Sequence, residues 1–502
     1  MRATPDFESF AGTYESGRAQ VVSTRLVADL ETPVSAFLKL AEGRAMSFLF
    51  ESVEGGATIG RYSFLGLKPD LVWRCSGDKA EINRKARSAP TDFVPEEKGA
   101  LASLAALIEE SKIALPKELP PMAAGLFGYL AYDMVRLMER LPQSTPDVLG
   151  IPDAIFLRPS VVAIFDRVED QVTVVTPVWP ATATDARSAY DQALTRLADI
   201  ATDFARSLPY RREPLDAAHP LPAPKPNMSR AAFHGMVERS KEYILAGDVF
   251  QVVPSQRFRI PFKLAPFALY RALRRLNPSP FLFFLDFGGF SIVGSSPEIL
   301  VRLRDGEVTI RPLAGTRRRG VNDEEDKALA AELLADPKER AEHLMLLDLG
   351  RNDVGRVAEV GTVRVTEQFQ VEYYSHVMHI VSNVVGRLRK GFTALDALIA
   401  GFPAGTVSGA PKVRAMEIIE ELEPERRGLY AGAVGYFGAS GAMDTCIALR
   451  TALVKDGMVF IQAGGGVVAD SDPEAEYEES LNKARALVRA AEEAVSFAAG
   501  GG

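Results

Sequence analysis

Hydrophobic and polar positions along the chain switch repeatedly between the alternation of strands and the three-to-four spacing of helices. Short apolar runs bounded by turn residues predict strands, at residues 46–52, 61–67, 249–258, 291–293, 298–302, 307–311 and 445–453. Apolar residues at helical spacing predict helices, at residues 33–41, 99–112, 183–208 and 324–349. Another helix is expected after Asp472, because proline follows it at the first helical position. Strands and helices are therefore mixed along the whole chain.

The stretch from Leu285 to Gly320 combines three predicted strands with two turns. The turn Gly294–Pro297 places Glu298 at the start of a strand, and a later run leads to a loop that contains Ala314, Gly315 and Thr316. An acid beside a tight turn and a Gly-Thr loop two strands later can face one cavity. The alternative from this stretch alone is an ordinary meander with a solvated glutamate, and both interpretations stay open.

A proline-rich segment divides the chain. Residues 209–226 contain six prolines and little apolar periodicity, so we expect an extended, semi-rigid connection. The predicted organisation is an N-terminal region, a linker, a C-terminal domain and a flexible Ala/Gly tail, at residues 1–208, 209–226, 227–492 and 493–502.

Composition and charge narrow the class of protein. The chain has 502 residues, of which 47% are hydrophobic and 25% charged, enough for a large core. Its net charge of −8 without a basic block argues against nucleic acid or an anionic membrane as partner. Two cysteines exclude a disulfide framework, and the sequence shows neither an apolar leader nor a run of about 20 apolar residues. We expect a soluble, cytoplasmic protein.

Two predicted helices each carry a pair of glutamates three residues apart. Glu339 and Glu342 share one helix face, and Glu476 and Glu479 share another. Mg²⁺ prefers oxygen ligands and is usually held by one or two protein carboxylates, with water and substrate anions completing its octahedron. The alternative is that these acids lie on solvated helix faces, which is the commoner situation.

Three further features indicate anion or proton chemistry. Arg450 lies in a nearly continuous apolar stretch and needs a carboxylate partner, either a side chain or a substrate. His379 is surrounded by apolar residues, so it is either a satisfied core histidine or a proton-transfer group. Gly464, Gly465 and Gly466 follow a strand and are read as a turn that offers backbone N–H groups to an anion, because no helix begins within them as a dinucleotide site requires.

These features occur among longer stretches that identify a family. In chain order they are DVFQVVPSQRF, NPSPFLFF, SIVGSSPEILV, IRPLAGTRRRG, ERAEHLMLLDLGRNDVGRV, VMHIVS, GTVSGAPKVRAMEII, YAGAVGYF, IALRTA, QAGGGVV and EAEYEESLNKAR. With them, residues 240–490 closely resemble the chorismate-utilising enzymes, and among these component I of anthranilate synthase. The N-terminal half fits more loosely, chiefly through FLFESVEGG and RYSFLG.

The resemblance implies an α+β fold of stacked antiparallel sheets with outer helices, in which the N-terminal half is interwoven with the C-terminal half. It implies a lyase site with chorismate between the two carboxylate helices and Mg²⁺ on the ring carboxylate. Glu342 and Glu479 are then the metal ligands, with Glu339 and Glu476 beside them. The implied substrate-binding residues are Tyr430, Arg450, Gly464, Gly465, Gly466, Lys483, Ala314, Gly315 and Thr316.

The implied catalytic residues are His379, Glu298, Thr406 and Gln251. His379 assists loss of the C4 hydroxyl, and Thr406 hydrogen-bonds the substrate. Two positions separate the branches of the family. Aminodeoxychorismate synthases have a lysine where this chain has Ala314, and salicylate and isochorismate synthases have a lysine base where it has Gln251. A neutral glutamine and a small alanine leave room for external ammonia at C2 and supply no internal nucleophile or base.

The resemblance also implies a partner and an inhibitor. Ammonia is expected from glutamine through a separate glutaminase subunit in a hetero-oligomer, and tryptophan is expected to inhibit. The implied tryptophan pocket comprises Glu51, Ser52, Pro280, Phe281, Leu282, Val434 and Tyr436. Two alternatives remain, an aminodeoxychorismate synthase component I and a non-catalytic scaffold that binds tryptophan or the glutaminase.

Overall fold

The structure is a computed structural model, and it describes residues 2–41, 43–54, 58–142, 145–209, 221–374 and 377–498. The helices are α1 (Phe7–Glu15), α2 (Pro33–Ala41), α3 (Ala100–Glu110), α4 (Ala186–Ala205), α5 (Arg230–Leu245), α6 (Pro266–Leu276), α7 (Asp323–Ala335), α8 (Pro337–Val357), α9 (Ala394–Gly401), α10 (Gly405–Ser408), α11 (Lys412–Leu422) and α12 (Pro473–Ala498). Short 3₁₀ turns occur at Pro121–Ala123 and Tyr132–Leu137. None of the helices described combines the length and the apolar character that a membrane span needs.

The strands of the first half are β1 (Ala3–Thr4), β2 (Gln20–Val27), β3 (Ser47–Glu51), β4 (Val53–Glu54), β5 (Thr58–Ile59), β6 (Tyr62–Ser76), β7 (Lys79–Asn83), β8 (Val94–Pro95), β9 (Gly125–Leu130), β10 (Ala154–Asp166) and β11 (Gln171–Val178). Those of the second half are β12 (Lys225–Pro226), β13 (Gln251–Val252), β14 (Ser255–Pro261), β15 (Phe281–Asp286), β16 (Ser291–Ser296), β17 (Ile299–Arg304), β18 (Glu307–Ile310), β19 (Leu313–Arg318), β20 (Arg364–Tyr373), β21 (Val377–Arg387), β22 (Gly409–Ala410), β23 (Ala433–Gly438), β24 (Met443–Ile447), β25 (Thr451–Lys455) and β26 (Met458–Gly464).

Antiparallel pairing joins the two halves of the chain. Strand β3 of the first half pairs with β15, and β9 pairs with β23. Three apolar clusters then define the layers. One cluster lies between sheet layers and draws its side chains mainly from strands, including Phe48, Phe127 and Phe283. A second lies under α2, α4, α6 and α12, and a third under α3, α8 and α9. The predicted fold of stacked antiparallel sheets with outer helices is confirmed.

Several predicted elements have the predicted bounds within a few residues, including α2, α3, α4, β3 and the start of α12. Four other predicted elements were wrong in their bounds or conformation. The predicted helix over 324–349 is two helices, because Asp336 caps the second one and proline occupies its first position. The predicted loop around Ala314 is strand β19, which pairs with β21. The predicted strand over 249–258 is interrupted before Ser255.

The fourth difference concerns Arg450. The predicted strand over 445–453 breaks between β24 and β25, and Arg450 lies in that break with a left-handed φ of 48°. The C-terminal tail also differs, because α12 continues to Ala498 and Ala494 packs into the cluster under the helices. Of the predicted linker 209–226, residues 210–220 lie outside the described residues, and Lys225–Pro226 pairs with β14.

Candidate active site

The two carboxylate helices face the glycine turn that follows β26. A Cβ atom added to Gly465 would lie 2.6 Å from Oε2 of Glu476 and 3.6 Å from Oε1 of Glu479, so the turn lies directly against α12. A Cβ added to Gly466 would lie 2.2 Å from Nε2 of Gln251. That Nε2 donates to Oε1 of Glu342 on α8 at 3.0 Å. Gln251 therefore connects the glycine turn to α8, and the structure brings the two predicted helices to one place.

The charge of this region is only partly compensated. Burial raises the pKa of Glu342, and the nearby charges of Glu339 and Glu479 raise it further, against the Gln251 hydrogen bond. Burial also raises the pKa of Glu476, whose Oε1 accepts from Ser471 Oγ at 2.7 Å. The other oxygen of Glu476 is buried and has no hydrogen-bond partner in the described part of the chain. Half-buried, mutually repelling carboxylates gain stability from a cation.

The glutamate oxygens of α8 and α12 are of the donor type that Mg²⁺ takes. Oxygen ligands from two helices and an orphaned carboxylate oxygen are the donors that a hard divalent cation takes. Across the described residues, however, no three acidic, histidine or cysteine side chains already converge on one point. Glu339 is instead paired with Arg317 at 3.0 Å. Two carboxylates would hold the ion, and substrate and water would complete its coordination.

Lys483 lies at the same turn. Its Nζ donates to the carbonyl oxygen of Gly464 at 3.0 Å and pairs with Oε1 of Glu479 at 2.7 Å. It is half exposed, so it remains available to an anion that approaches from solvent. Together, Gly464 and Lys483 place one cation and one set of backbone groups beside the acidic helices.

Glu298 and Thr406 line one cavity together with Leu349 and Gly350 of α8. Glu298 is 5% exposed, and burial raises its pKa to about 8, against the effect of the Leu313 amide, the Thr406 hydroxyl and the Arg450 charge. The carboxyl group is therefore mostly protonated at neutral pH. Because this side chain is buried, Glu298 does not lie on a solvated meander. Ala314, Gly315 and Thr316 do not line the same cavity, so the predicted shared cavity stays a prediction.

Arg450 has no salt bridge with any described residue. Burial lowers its pKa, and Tyr374 and Glu298 oppose that effect. Its backbone carbonyl accepts from Ser295 N at 3.1 Å, which fixes the break between β24 and β25. Sequence reasoning required a carboxylate partner for Arg450, and the nearest candidate, Glu298, is held mostly neutral. A guanidinium in this situation is suited to a substrate carboxylate.

His379 lies on β21 opposite Thr316. Its Nδ1 is 3.0 Å from both Thr316 Oγ1 and the carbonyl oxygen of Gly315. Because a carbonyl can only accept, the hydrogen is assigned to Nδ1, which leaves Nε2 as an acceptor. Nε2 is buried and has no partner among the residues described. Burial and the Arg450 charge lower the pKa of His379 to about 4, so the ring is neutral at neutral pH.

Tyr430 and Ala314 complete the predicted substrate residues. Tyr430 is buried, and burial raises its pKa to about 12. Ala314 is buried on β19 opposite Ile380, and no amine is present at this position. Thr316, two residues further along β19, is exposed apart from its contact with His379.

The predicted tryptophan residues lie together but on two faces of one sheet. Glu51 and Leu282 are register partners on β3 and β15, so their side chains share the face towards α6. Phe281, Val434 and Tyr436 lie in the cluster between the sheets. Pro280 precedes β15 and Ser52 follows β3. The Glu51 carboxylate accepts from the Tyr270 hydroxyl at 2.5 Å and from Arg274 Nε at 2.6 Å.

Sequence reasoning missed the residues that hold the glutamates. Arg317 binds Glu339, Glu332 and Asp336 from β19, and Ser471 holds Glu476. The run Arg317–Arg319 was visible as a cluster of charge, but its partners lie on α7 and α8 and depend on the break between those helices. Ser471 gave no signal beyond its position before the helix.

Comparison with known proteins agrees with this geometry. The family of chorismate binding enzymes matches residues 62–489. The chain is 61% identical to anthranilate synthase component 1 of Cereibacter sphaeroides over 98% of each chain. It is 50% identical to the protein of that name from Pseudomonas putida, over 92% of this chain and 93% of the relative.

Two solved structures are similar to this chain. Anthranilate synthase component I from Streptococcus pneumoniae TIGR4 aligns with a TM-score of 0.76 and 40% identity, over 86% of this chain and 92% of that chain. The menaquinone-specific isochorismate synthase MenF from Escherichia coli shares the fold, with a TM-score of 0.71 at 20% identity over 97% and 98% of the two chains. The chain therefore belongs to the chorismate binding enzymes and, within them, to the anthranilate synthase component 1 group.

Proposed function

We propose that this chain converts chorismate and ammonia to anthranilate and pyruvate in a Mg²⁺-dependent reaction, the first step of tryptophan biosynthesis. The observation that carries the proposal is that glutamates without a cationic partner and an arginine without an anionic partner occur in one region. Among the described residues, Glu342 of α8 and Glu476 of α12 have no salt bridge and burial raises their pKa, while Arg450 has no salt bridge and burial lowers its pKa. A substrate with two carboxylates and a divalent cation satisfies both requirements at once.

The substrate is held by charge and by backbone groups. Glu342 and Glu479 would hold Mg²⁺, which on binding neutralises the ring carboxylate of chorismate and fixes its position. Arg450 and Lys483 supply the positive charge for substrate carboxylates. The backbone of the turn Gly464–Gly466 lies so close to α12 that a side chain at Gly465 would collide with Glu476. Glycine permits this close approach.

Two neutral groups account for loss of the C4 hydroxyl. Glu298 is mostly protonated at neutral pH because its pKa is raised to about 8, so it has a proton to donate. His379 is neutral, and its Nε2 is free to accept a hydrogen bond that orients the substrate. The hydroxyl then departs as water while ammonia adds at C2, and elimination of pyruvate gives the aromatic ring.

Gln251 favours ammonia over water as the nucleophile. Its amide nitrogen donates to Glu342 and is not basic, so Gln251 cannot deprotonate a water molecule as a lysine base can. Ala314 provides no amine that would attack the ring. Both positions favour amination by an external nucleophile over hydration or covalent catalysis.

We further propose that ammonia comes from a separate glutaminase subunit, because neither Cys75 nor Cys446 offers an accessible nucleophile. Both thiols are free and buried, and burial raises their pKa. Tryptophan is proposed to inhibit from the region of Glu51, Ser52 and β15. A cytoplasmic location for the complex stays a prediction.

The test is product identity with purified chain, chorismate, MgCl₂ and ammonium, with and without EDTA. Anthranilate and pyruvate in equal amounts, lost with EDTA and restored by excess Mg²⁺, are expected. An aminated, non-aromatic product would assign the chain to the aminodeoxychorismate branch. Absence of turnover, even with a glutaminase subunit added, would favour the scaffold.

A further inference from the structure

Arg427 is a fully buried cation outside the residues assigned to the site. It is 2% exposed, and its guanidinium makes contacts in three directions. Nη1 donates to the carbonyl oxygen of Val407 at 2.6 Å, and Nη2 donates to the carbonyl oxygen of Val253 at 2.6 Å. Its Nε lies 3.1 Å from both carboxylate oxygens of Glu423, four residues earlier in the chain.

Glu423 extends this network to another strand. The carboxylate is 4% exposed, and its Oε1 accepts from the backbone N of Ser255 at 2.9 Å and from the Ser255 hydroxyl at 2.8 Å. Ser255 begins β14 and is the register partner of Gly464 on β26. The same hydroxyl accepts from Gln462 Nε2 at 2.8 Å.

Each segment held by this ion pair carries a proposed substrate residue. Val253 lies two residues after Gln251, and Val407 directly follows Thr406. The Tyr430 ring centroid lies 5.4 Å from the guanidinium carbon of Arg427. Gly464, opposite Ser255, begins the glycine turn. Four segments of the chain are therefore held, directly or through Ser255, by the same Arg427–Glu423 ion pair.

Stability alone does not account for this arrangement. Moving two charges into the interior carries a large desolvation penalty, and apolar residues of similar volume are often at least as stabilising. A guanidinium, in contrast, fixes two carbonyl groups and a carboxylate in one plane, which an ammonium group cannot do. All three guanidinium nitrogens of Arg427 are used: Nη1 holds the Val407 carbonyl, Nη2 holds the Val253 carbonyl and Glu423 Oε1, and Nε holds Glu423.

We propose that Arg427 and Glu423 are positioning residues for the chorismate site, which set the distance between the Gln251 strand, the Thr406 helix, Tyr430 and the glycine turn. The inference rests on the proposed function. Neither residue touches the substrate. Their effect is transmitted through the backbone of the segments they hold, so loss of the planar contact displaces several substrate residues together.

The test is Arg427→Lys in the full chain. Lysine keeps the charge opposite Glu423 but cannot hold both carbonyls, so we expect a folded protein with a KM for chorismate at least tenfold higher and a smaller fall in kcat. Arg158→Lys is the matched control, because Arg158 makes a two-pronged contact with Asp70 away from the site. The control is expected to keep KM and kcat within twofold of the wild type.

A double-mutant cycle with Tyr430→Phe separates positioning from general weakening. If Arg427 acts through Tyr430 and its neighbours, the two substitutions together raise KM by less than the product of their separate effects. Fully multiplicative effects, or a KM for Arg427→Lys within twofold of the wild type, would overturn the proposal. If Arg427→Lys does not fold, Glu423→Gln decides by the same criterion, because its amide oxygen still accepts from Ser255.

The failure of this inference is distinguishable from failure of the proposed function. Turnover of chorismate by the wild type is measured first and tests the function alone. Chorismate binding without ammonium is then titrated for the wild type and Arg427→Lys. A dissociation constant at least tenfold higher in the variant supports positioning even without turnover, and an unchanged constant contradicts it.

Discussion

Glu51 on β3 and Glu342 on α8 are both carboxylates removed from bulk water, but their surroundings differ in charge. Glu51 has a side chain that is 1% exposed, and it is bound by Arg167, Arg274 and the Tyr270 hydroxyl. Glu342 accepts from a neutral amide, and burial raises its pKa, with Glu339 and Glu479 adding to that effect and Lys483 opposing it. The Glu51 carboxylate has cationic partners within the chain, whereas Glu342, among the residues described, accepts only from an amide, which is why we propose a cation beside it.

This difference indicates what each glutamate does. A buried charge with two guanidinium partners fixes structure, here the contact of β3 with α6. A half-buried carboxylate with unfavourable neighbours costs stability and is retained for a ligand. Glu298 differs from both, because burial outweighs the Arg450 charge and keeps this carboxyl group protonated.

The largest effect is expected at Glu342. Glu342→Gln removes a proposed metal ligand, so we expect kcat/KM to fall by about a thousandfold, roughly 4 kcal/mol of transition-state stabilisation. Thermal stability should stay equal or rise, because a repulsive charge is removed. Steady-state kinetics and calorimetry check both, with Glu359→Gln on the loop after α8 as a control. If Glu342→Gln lost activity only because it was less stable, Glu342 would have a structural role like that of Glu51, and the proposed difference between the two glutamates would be wrong.

Glu51→Gln is expected to show the opposite result. Removing the charge leaves Arg167 and Arg274 without their shared carboxylate, so stability should fall by about 3 kcal/mol, as for other broken buried ion pairs. Turnover per folded molecule should stay within a fewfold of the wild type. Denaturant unfolding measures the change. Glu81→Gln, at a half-exposed pair with Arg74, should cost less than about 1 kcal/mol.

The next prediction concerns pH and Glu298. Its pKa is about 8 in the folded chain and near 4.5 when unfolded, so the folded state holds the extra proton between these values. Stability from this group is therefore highest at low pH and falls as pH rises, by about 3 kcal/mol between pH 5 and pH 8. Glu298→Gln should remove that part of the slope.

The same group should shape the activity profile. If protonated Glu298 donates the proton, kcat falls above about pH 8 in the wild type. Glu298→Gln should be much slower and should lack that decline. A variant with wild-type rate and an unchanged pH profile would exclude Glu298 as the proton donor.

The smallest effect is expected at Ser52, which directly follows Glu51. Ser52 accepts from Gly60 N at 2.9 Å, and a side chain at Gly60 would collide with it, so there is little room here. Ser52→Phe should raise the tryptophan concentration for half-inhibition about tenfold, roughly 1.4 kcal/mol, and leave turnover largely intact. Ser23→Phe, at a partly exposed position of β2, is the control. Unchanged inhibition in Ser52→Phe would contradict the pocket assignment.

The sequence predicted the elements that depend on local pattern. Helix α2 and strand β3 follow from apolar spacing, and the start of α12 follows from Asp472 and Pro473. The family resemblance predicted the fold, which is confirmed, and a set of site residues, which stays a prediction. The local pattern was wrong where strand pairing decides conformation, as at Ala314, which lies in a strand because β19 pairs with β21.

By itself, the sequence determined which residue types were candidates for a site, namely carboxylate pairs at helical spacing, an arginine in apolar surroundings and a glycine turn, and the family resemblance selected among their interpretations. Only the tertiary structure decided which charges are compensated. The partners that distinguish Glu51 from Glu342 come from the residue after β10, from α6 and from β13. Compensation depends on distances between segments that are far apart along the chain, and local pattern contains no information about those distances.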